Sequence, residues 1–199
     1  GNREMILYSD VIPSLNADGV LPPFDVSNPT SRYRSPYSVL LPDLILRFGN
    51  TPVRQEILRG YLSFRSALHR TGLVSGFQWI DGSFLENVEE IEKRDPRDID
   101  VVTFYYLPAG QTQESLASGS PRLFDSKITK QDYHVDARYV QLNETMPEAL
   151  VGQSAYWYSV WSHRRSGLWK GFLQVDLSAH DDPVALTNLE SVAIGRDHS

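Results

Sequence analysis

The sequence contains no cysteine, two methionines and no long apolar run among its 199 residues. Without cysteine, the chain forms no disulfide framework and no cysteine-ligated zinc site. A membrane-spanning helix needs about 18 or more consecutive apolar residues, so we expect no span and no membrane partner. Residues 1–4 lack the basic start and the apolar stretch of a secretory signal. These absences predict a cytoplasmic protein.

Basic residues are fewer than acidic ones, 19 Lys and Arg against 25 Asp and Glu, which gives a formal net charge of -6. That balance argues against a protein that grips nucleic acid over a broad basic surface. The richest basic stretches are short and cover residues 32–34 and 163–165. Hydrophobic residues make up 41% of the chain, enough for a core, and the length suits one ordinary domain.

Prolines and a helix start divide the chain into segments. Six prolines before residue 50 interrupt every periodic run, which predicts an irregular N-terminal arm over residues 1–50. A helix then begins with Thr51 as N-cap and Pro52 at its first position, and Gly72 follows its last basic residues. We assign residues 51–180 to one domain and residues 181–199 to a weakly patterned C-terminal tail.

The periodicity of the remaining segments predicts the fold class. Alternating stretches rich in β-branched and aromatic residues predict strands over residues 76–81, 98–106, 133–140 and 170–177. Helices are expected over residues 147–163 and near 122–130, with a mobile polar loop over 111–120. The chain is therefore expected to adopt an α/β (α+β) fold, a mixed sheet of about four or five strands with helices mainly on one face.

Two predicted strands carry the residues of greatest chemical interest. The first ends at the turn Gly82-Ser83, and the second begins with Asp98 and Asp100 at positions i and i+2. Side chains two residues apart on a strand project to the same face, so these carboxylates are expected side by side. A divalent cation is the usual reason for tolerating such a pair. A further acid, Asp136, lies on a later predicted strand.

This order of motifs resembles the nucleotidyltransferase superfamily, which includes DNA polymerase beta and the minimal nucleotidyltransferases. Within it, the chain is most similar to an uncharacterised bacterial branch with GSF, DID and later Asp motifs. The resemblance implies that Asp98, Asp100 and Asp136 are catalytic and hold Mg²⁺ or Mn²⁺, with Asp136 helping to activate the attacking hydroxyl. It also implies that Gly82 and Ser83 bind the triphosphate of an NTP.

Several side chains near these motifs have two interpretations. Lys170 either reaches a phosphate or is solvated, and Arg138 either binds a phosphate or balances the acids on its face. His134 is interpreted as structural. Four aromatic residues of the later helix either stack on a base or pack on the sheet, the second being favoured: Tyr156, Trp157, Tyr158 and Trp161. The charged segment over residues 86–97 is a lid, a partner-binding loop or decoration.

The resemblance implies an enzyme that transfers a nucleoside monophosphate to a protein, an RNA end such as that of tRNA, or a small-molecule hydroxyl. A bacterial toxin–antitoxin or phage-defence setting, with a partner protein, is implied in the same way. The alternative is a non-catalytic nucleotide-sensing or partner-binding module on the same fold. A metal-dependent phosphohydrolase is a third possibility, disfavoured because only His134 lies near an acid.

Overall fold

The computed structural model describes Tyr8 and residues 11–195. Five strands form one mixed sheet: β1 (Tyr37–Ser38), β2 (Gly76–Asp81), β3 (Ile99–Tyr105), β4 (Val135–Gln141) and β5 (Leu173–Asp176). Seven α-helices accompany it: α1 (Leu41–Phe48), α2 (Pro52–Arg70), α3 (Val88–Ile91), α4 (Gln113–Gly119), α5 (Ser126–Tyr133), α6 (Pro147–Trp161) and α7 (Asp182–Ile194). The expected α+β fold is confirmed. None of the described helices has the length and apolar character needed to cross a membrane.

The sheet order is β1-β5-β2-β3-β4. Strands β2 and β3 are antiparallel, β3 and β4 are parallel, and β5 pairs with β1 in parallel and with β2 in antiparallel orientation. Helix α2 packs across one face, where the hydroxyl of Tyr61 donates to Gln78. Helices α1, α5 and α7 lie around α2 on this face. Helix α6 lies on the other face, where Trp161 packs against Phe172.

The predicted helix and the first two predicted strands are correct. Thr51 accepts a hydrogen bond from the Arg54 N–H, so it caps α2 as expected. The apolar stripe of α2 is buried, with Leu58, Tyr61 and Phe64 fully inaccessible to solvent. Strand β2 covers the predicted residues, and β3 begins one residue after Asp98. Local periodicity was sufficient here because both strands are buried at the centre of the sheet.

Other boundaries differ from the predictions. The segment over residues 1–50 is not irregular throughout, because β1 and α1 form there, with Pro42 in the first turn of α1. The predicted loop over 111–120 contains α4, which Thr112 caps. The tail contains α7. Residues 1–7 and 9–10 of the predicted arm lie outside the described residues, as do residues 196–199 of the predicted tail.

The two later strands are shorter than predicted. Strand β4 begins at Val135, because His134 ends α5 in the left-handed conformation. Strand β5 begins at Leu173, so Lys170 lies before it in a hairpin rather than at its start. That hairpin follows α6 and is closed by the Lys170 N–H, which donates to the Ser162 carbonyl at 2.8 Å.

Candidate active site

A row of carboxylates crosses three strands on the face opposite α2. Asp81 of β2 pairs directly with Asp100 of β3, and Asp100 pairs directly with Asp136 of β4. Directly opposed residues on neighbouring strands point to the same face, with Cβ atoms roughly 5 Å apart. Asp98 precedes Asp100 by two residues on that face. We call Asp81, Asp98, Asp100 and Asp136 the carboxylate row. The structure thus brings together the three predicted acids and adds Asp81.

Burial makes the charged forms of Asp81, Asp98 and Asp100 unfavourable. Burial and, to a smaller extent, the negative charges of Asp98 and Asp136 together raise the pKa of Asp100 to about 7, against the opposing effects of Lys170 and Lys130. Burial also raises the pKa of Asp81 to about 7, although the charge of Lys170 favours its ionised form. Burial is also the largest cause of the raised pKa of Asp98. Strongly perturbed carboxyl groups clustered at one end of a sheet are characteristic of functional sites.

The Gly82-Ser83 turn abuts the centre of the row. Gly82 adopts φ 95° and ψ -178°, a conformation that side chains with a Cβ rarely adopt. A Cβ at this position would lie 2.9 Å from Oδ2 of Asp100. Ser83 then begins a short 3₁₀ turn over Ser83–Leu85. Glycine is therefore needed here both for the backbone conformation and for the space beside Asp100.

Helix α2 holds this turn from the opposite side. Arg54 is 3% exposed, and its guanidinium donates to the carbonyls of Phe84 at 2.5 Å and Glu86 at 2.6 Å. It also bonds the Glu89 carboxylate at 2.5 Å. Arg54 is thus a positioning residue for the turn. Sequence reasoning missed it, although an arginine within the buried stripe of an amphipathic helix was the available signal.

Lys170 is buried between two carboxylates. Its side chain is 8% exposed, and its ammonium lies 3.2 Å from Oδ1 of Asp81 and 3.5 Å from Oε2 of Glu86. Arg164, from the same hairpin, binds the other oxygen of Glu86. The interpretation of Lys170 as a solvated residue is therefore wrong, and its ammonium group already has two anionic partners. Asp81 and Glu86 were not predicted, because their roles depend on where the hairpin packs.

A second group of cations surrounds the β4 end of the row. Lys130 lies 3.4 Å from one oxygen of Asp136, and Arg138 lies 3.6 Å from the other. Both cationic side chains are about half exposed, at 47% and 46%. Arg138 shares the face of Asp136, as predicted. His134 contributes its carbonyl, which accepts from the Ile99 N–H at 3.0 Å and joins β4 to β3.

The aromatic residues of α6 pack against one another or against Phe172, and the two tyrosines among them are also exposed. Trp161 is buried, and its ring packs edge to face on Phe172 at 6.0 Å. Trp157 packs against Trp161 and is partly buried. Tyr156 is 60% exposed and Tyr158 is 40% exposed. The packing interpretation is correct for the two tryptophans, and the tyrosines remain accessible.

The carboxylate row suits a hard divalent cation by donor type, since Mg²⁺ and Mn²⁺ prefer carboxylate oxygens. Two of its buried oxygens face cations of the chain itself: Oδ1 of Asp81 lies 3.2 Å from the Lys170 ammonium, and Oδ1 of Asp136 lies 3.6 Å from Arg138. No group of three His, Cys, Asp or Glu side chains within residues 11–195 is already gathered as a ligand set. Cation binding would therefore require Asp136 to turn away from Lys130 and Arg138.

Comparison with known proteins gives one match. Residues 13–176, which include the whole carboxylate row, match the DUF6932 family, described as a family of unknown function. Neither the curated proteins nor the solved structures contain a match to the chain.

Proposed function

The chain belongs to the DUF6932 family, and we propose that it is a metal-dependent nucleotidyltransferase acting on an NTP and an acceptor hydroxyl. One observation carries the proposal: Asp100 and Asp136 are direct partners on β3 and β4, with Asp98 on the same face. The resemblance to the nucleotidyltransferase superfamily supports the proposal, because its motifs contain the same three acids. Gly82 also supports it, because a glycine turn this close to Asp100 would allow the backbone to approach a bound phosphate.

The proposed reaction is one displacement at the α-phosphorus. The acceptor oxygen forms a bond to that phosphorus, the bond to the bridging oxygen breaks, and pyrophosphate leaves with the electron pair. Asp136 receives the hydroxyl proton and passes it to solvent. Asp98, Asp100 and Asp136 would hold Mg²⁺ or Mn²⁺, which supplies charge neutralisation for both oxygens. Ser83 would donate its hydroxyl to a phosphate, and Arg54 keeps the turn in place.

A nucleotide-sensing or partner-binding module without catalysis is the second candidate. One observation favours it: the chain's own cations already neutralise part of the row, with Lys170 at Asp81 and Lys130 and Arg138 at Asp136. A module of this kind needs no further cation to keep its fold. All four carboxylates are nevertheless present, and that supports catalysis over sensing.

The setting is part of the proposal. We place the enzyme in the cytoplasm, on the basis of its cysteine-free sequence, in a bacterial toxin–antitoxin or phage-defence system, on the basis of the resemblance alone. A partner protein would then restrain the activity. The acceptor classes are a protein, an RNA end such as that of tRNA, and a small-molecule hydroxyl.

The test is transfer from α-labelled NTPs, offered one at a time with Mg²⁺ or Mn²⁺ to a lysate that contains protein and RNA. We expect label on a macromolecule with the wild-type chain and none with the Asp98→Asn/Asp100→Asn variant. Asp95→Asn, which changes an exposed acid of the same segment, is the matched control and should label normally. NTP binding without labelling by the wild type would favour the sensing module instead.

A further inference from the structure

Helix α6 is covered by the rest of the chain along one narrow strip. Of its 15 residues only Trp161 is buried, whereas ten of the 19 residues of α2 are buried. Leu150, Ser154 and Trp157 are half-buried and recur with Trp161 at spacings of four, three and four, so the four residues form one stripe. The remaining eleven residues of α6 are exposed to solvent.

The exposed side of α6 is nearly free of charge. Glu148 is the only charged residue of the helix, in a chain in which 22% of the residues are charged. Apolar side chains lie there instead, among them Val151, which is 67% exposed, Tyr156, and Met146 immediately before the helix. A surface helix normally presents charged and polar residues to water, and a helix that is apolar on all sides is normally buried. We call this side, from Met146 to Val160, the outer α6 face. It has the composition of a covered surface.

The size and shape of the outer α6 face suit a second protein surface. Its large apolar side chains and the small residues between them expose roughly 600 Å², the upper end for the largest apolar patch of a monomer. Two such faces would together bury roughly 1,200 Å², the lower limit of a specific protein–protein interface. The surface of a helix is convex, and this one lacks the concavity and the convergent polar groups that hold a small molecule.

The order of residues along the outer α6 face is self-complementary. Ala155 lies at the middle of the helix, with Gly152 and Ser159 about one turn to either side. In a twofold-symmetric pair, residues near the axis meet the same residues of the other copy, so a charge there would repel its counterpart. Bulky side chains there would also hold the two helices apart. Small uncharged residues at the centre of the face avoid both effects.

Charges of opposite sign lie at the two ends of this face. Glu148 is exposed in the first turn of α6, and Arg165 is exposed just beyond its last turn. Antiparallel packing of two α6 helices would place each Glu148 near Arg165 of the other copy, whereas parallel packing would bring the two Glu148 side chains together. Copies of a chain with net charge -6 repel each other over most of their surface, so an uncharged face with complementary ends is where they can meet.

We propose that the outer α6 face is the contact between two copies of this chain, which form an antiparallel, twofold-symmetric dimer with its axis near Ala155. The apolar side chains of the face supply the buried area. Glu148 and Arg165 set the direction in which the two helices pack. This inference is independent of the carboxylate row and of the proposed reaction.

The absence of cysteine from the sequence allows a direct test of the axis. In the full chain, Ala155→Cys places one thiol of each copy near the axis, and a disulfide between them requires Cα atoms within about 7 Å. In a glutathione redox buffer at micromolar protein concentration, we expect most of this variant to run as a dimer on a non-reducing gel. Ala179→Cys, at an exposed alanine in the turn before α7, is the matched control and should run as a monomer.

Sedimentation velocity measures the association itself. The wild-type mass should rise from 22.6 kDa toward twice that value as the protein concentration increases from about 1 to about 100 µM, since the interface is small. Tyr156→Arg places a charge near the axis and should keep the chain at 22.6 kDa. Tyr106→Arg, at a tyrosine outside α6 that is 51% exposed, should associate as the wild type does. Equal urea midpoints for the two variants at the lowest concentration would show that both are folded.

Charge reversal tests the antiparallel direction. Glu148→Arg or Arg165→Glu alone should weaken association about tenfold, because each places like charges at both ends of the dimer. The two changes together should restore the wild-type affinity to within about threefold.

Three outcomes would overturn the dimer. A wild-type chain that stays monomeric at the highest concentration would assign the outer α6 face to a different protein. Equal crosslinking of Ala155→Cys and Ala179→Cys would contradict an axis near Ala155. A double charge reversal that associates no better than the single ones would contradict antiparallel packing.

Discussion

Two buried ionic networks lie on opposite faces of the same sheet, and they are built differently. On the α2 face, Arg65 is fully buried and donates to Gln78, to the carboxylate of Asp182 and to backbone carbonyls at the end of β5. On the other face, the carboxylate row holds buried acids at close range, and the cations nearest to them are Lys170, 3.2 Å from Asp81, and Lys130, 3.4 Å from Asp136.

The contrast indicates what each network is for. The Arg65 network satisfies its donors with short hydrogen bonds and joins α2 to the start of α7, which is the arrangement that stability favours. The carboxylate row places like charges together and raises the pKa of Asp81 and Asp100 to about 7. A buried row of like charges is characteristic of functional sites rather than of arrangements that stabilise a fold. The following predictions test this difference, in order of decreasing effect.

Loss of the Arg65 network should give the largest effect. Arg65→Met removes a buried cation and leaves the Asp182 carboxylate and the backbone carbonyls at the end of β5 without their donor, which costs about 3–5 kcal/mol in the free energy of unfolding. Arg59→Met is the control, because Arg59 is 46% exposed and its contact with Glu56 spans 3.5 Å, so the change should be within about 0.5 kcal/mol. Urea unfolding measures both, and equal values would contradict the structural assignment.

Gly82→Ala should disrupt the carboxylate row while lowering the stability of the fold less than Arg65→Met does. The new Cβ displaces the Asp100 carboxylate, and misplacement of a reacting group by about 1 Å lowers the rate roughly 100-fold. Gly167→Ala is matched in backbone conformation, with φ +89°, and its Cβ would meet open space. The labelled-NTP assay should therefore show a loss for the first variant only. A comparable loss in both would assign the effect to backbone strain.

The pH dependence of stability should distinguish the row from the Arg65 network. A carboxyl group with a pKa of about 7 when folded and about 4 when unfolded stabilises the folded state fully below pH 4. That contribution is lost as the pH rises through 7, because the folded state then releases its extra proton. In chelator, Asp100→Asn should gain about 1–3 kcal/mol over the wild type between about pH 5 and pH 8. Urea unfolding at each pH measures this difference, and a constant difference would be the contrary result.

Lys170→Met should cost less than Arg65→Met, although both remove a buried cation. Asp81 has a pKa near 7 and can take up a proton when Lys170 is lost, whereas the backbone carbonyls that Arg65 binds at the end of β5 cannot titrate. We expect a loss of about 1–2 kcal/mol at neutral pH that shrinks as the pH falls. Lys127→Met serves as the exposed control. A loss as large as that of Arg65→Met would show that the two networks are equally rigid.

The parts of the fold set by neighbouring residues could be predicted from the sequence. Helix α2 was predictable from Thr51, Pro52 and its apolar stripe, and β2 and β3 from their alternation. Helix α1 was missed because Pro42 was taken as an interruption, whereas in the first turn of a helix its missing N–H costs no hydrogen bond. Helix α4 was missed because its sequence is polar and carries little periodicity.

The candidate site could be predicted only in part, because half of it depends on long-range packing. Asp98 and Asp100 follow from their spacing, and Asp136 from its place on a predicted strand. The role of Asp81 requires the register between β2 and β3, which no single stretch of sequence reveals. The contacts of Lys170 require the hairpin after α6 to close over the Gly82-Ser83 turn. Arg54 requires knowledge of what α2 packs against.

The hydrogen bonds of Arg54 to the carbonyls after the Gly82-Ser83 turn indicate where the chain can accept an insertion. Arg54 fixes the carbonyls of Phe84 and Glu86 at one end of the 86–97 segment, and buried Pro96 fixes the other end. The residues 92–95 between them are exposed, and none of their hydrogen bonds reaches Arg54 or Pro96. Extra residues inserted between Lys93 and Arg94 would therefore leave the acids in place. This segment offers a position for an internal epitope through which the protein and anything bound to it can be recovered intact.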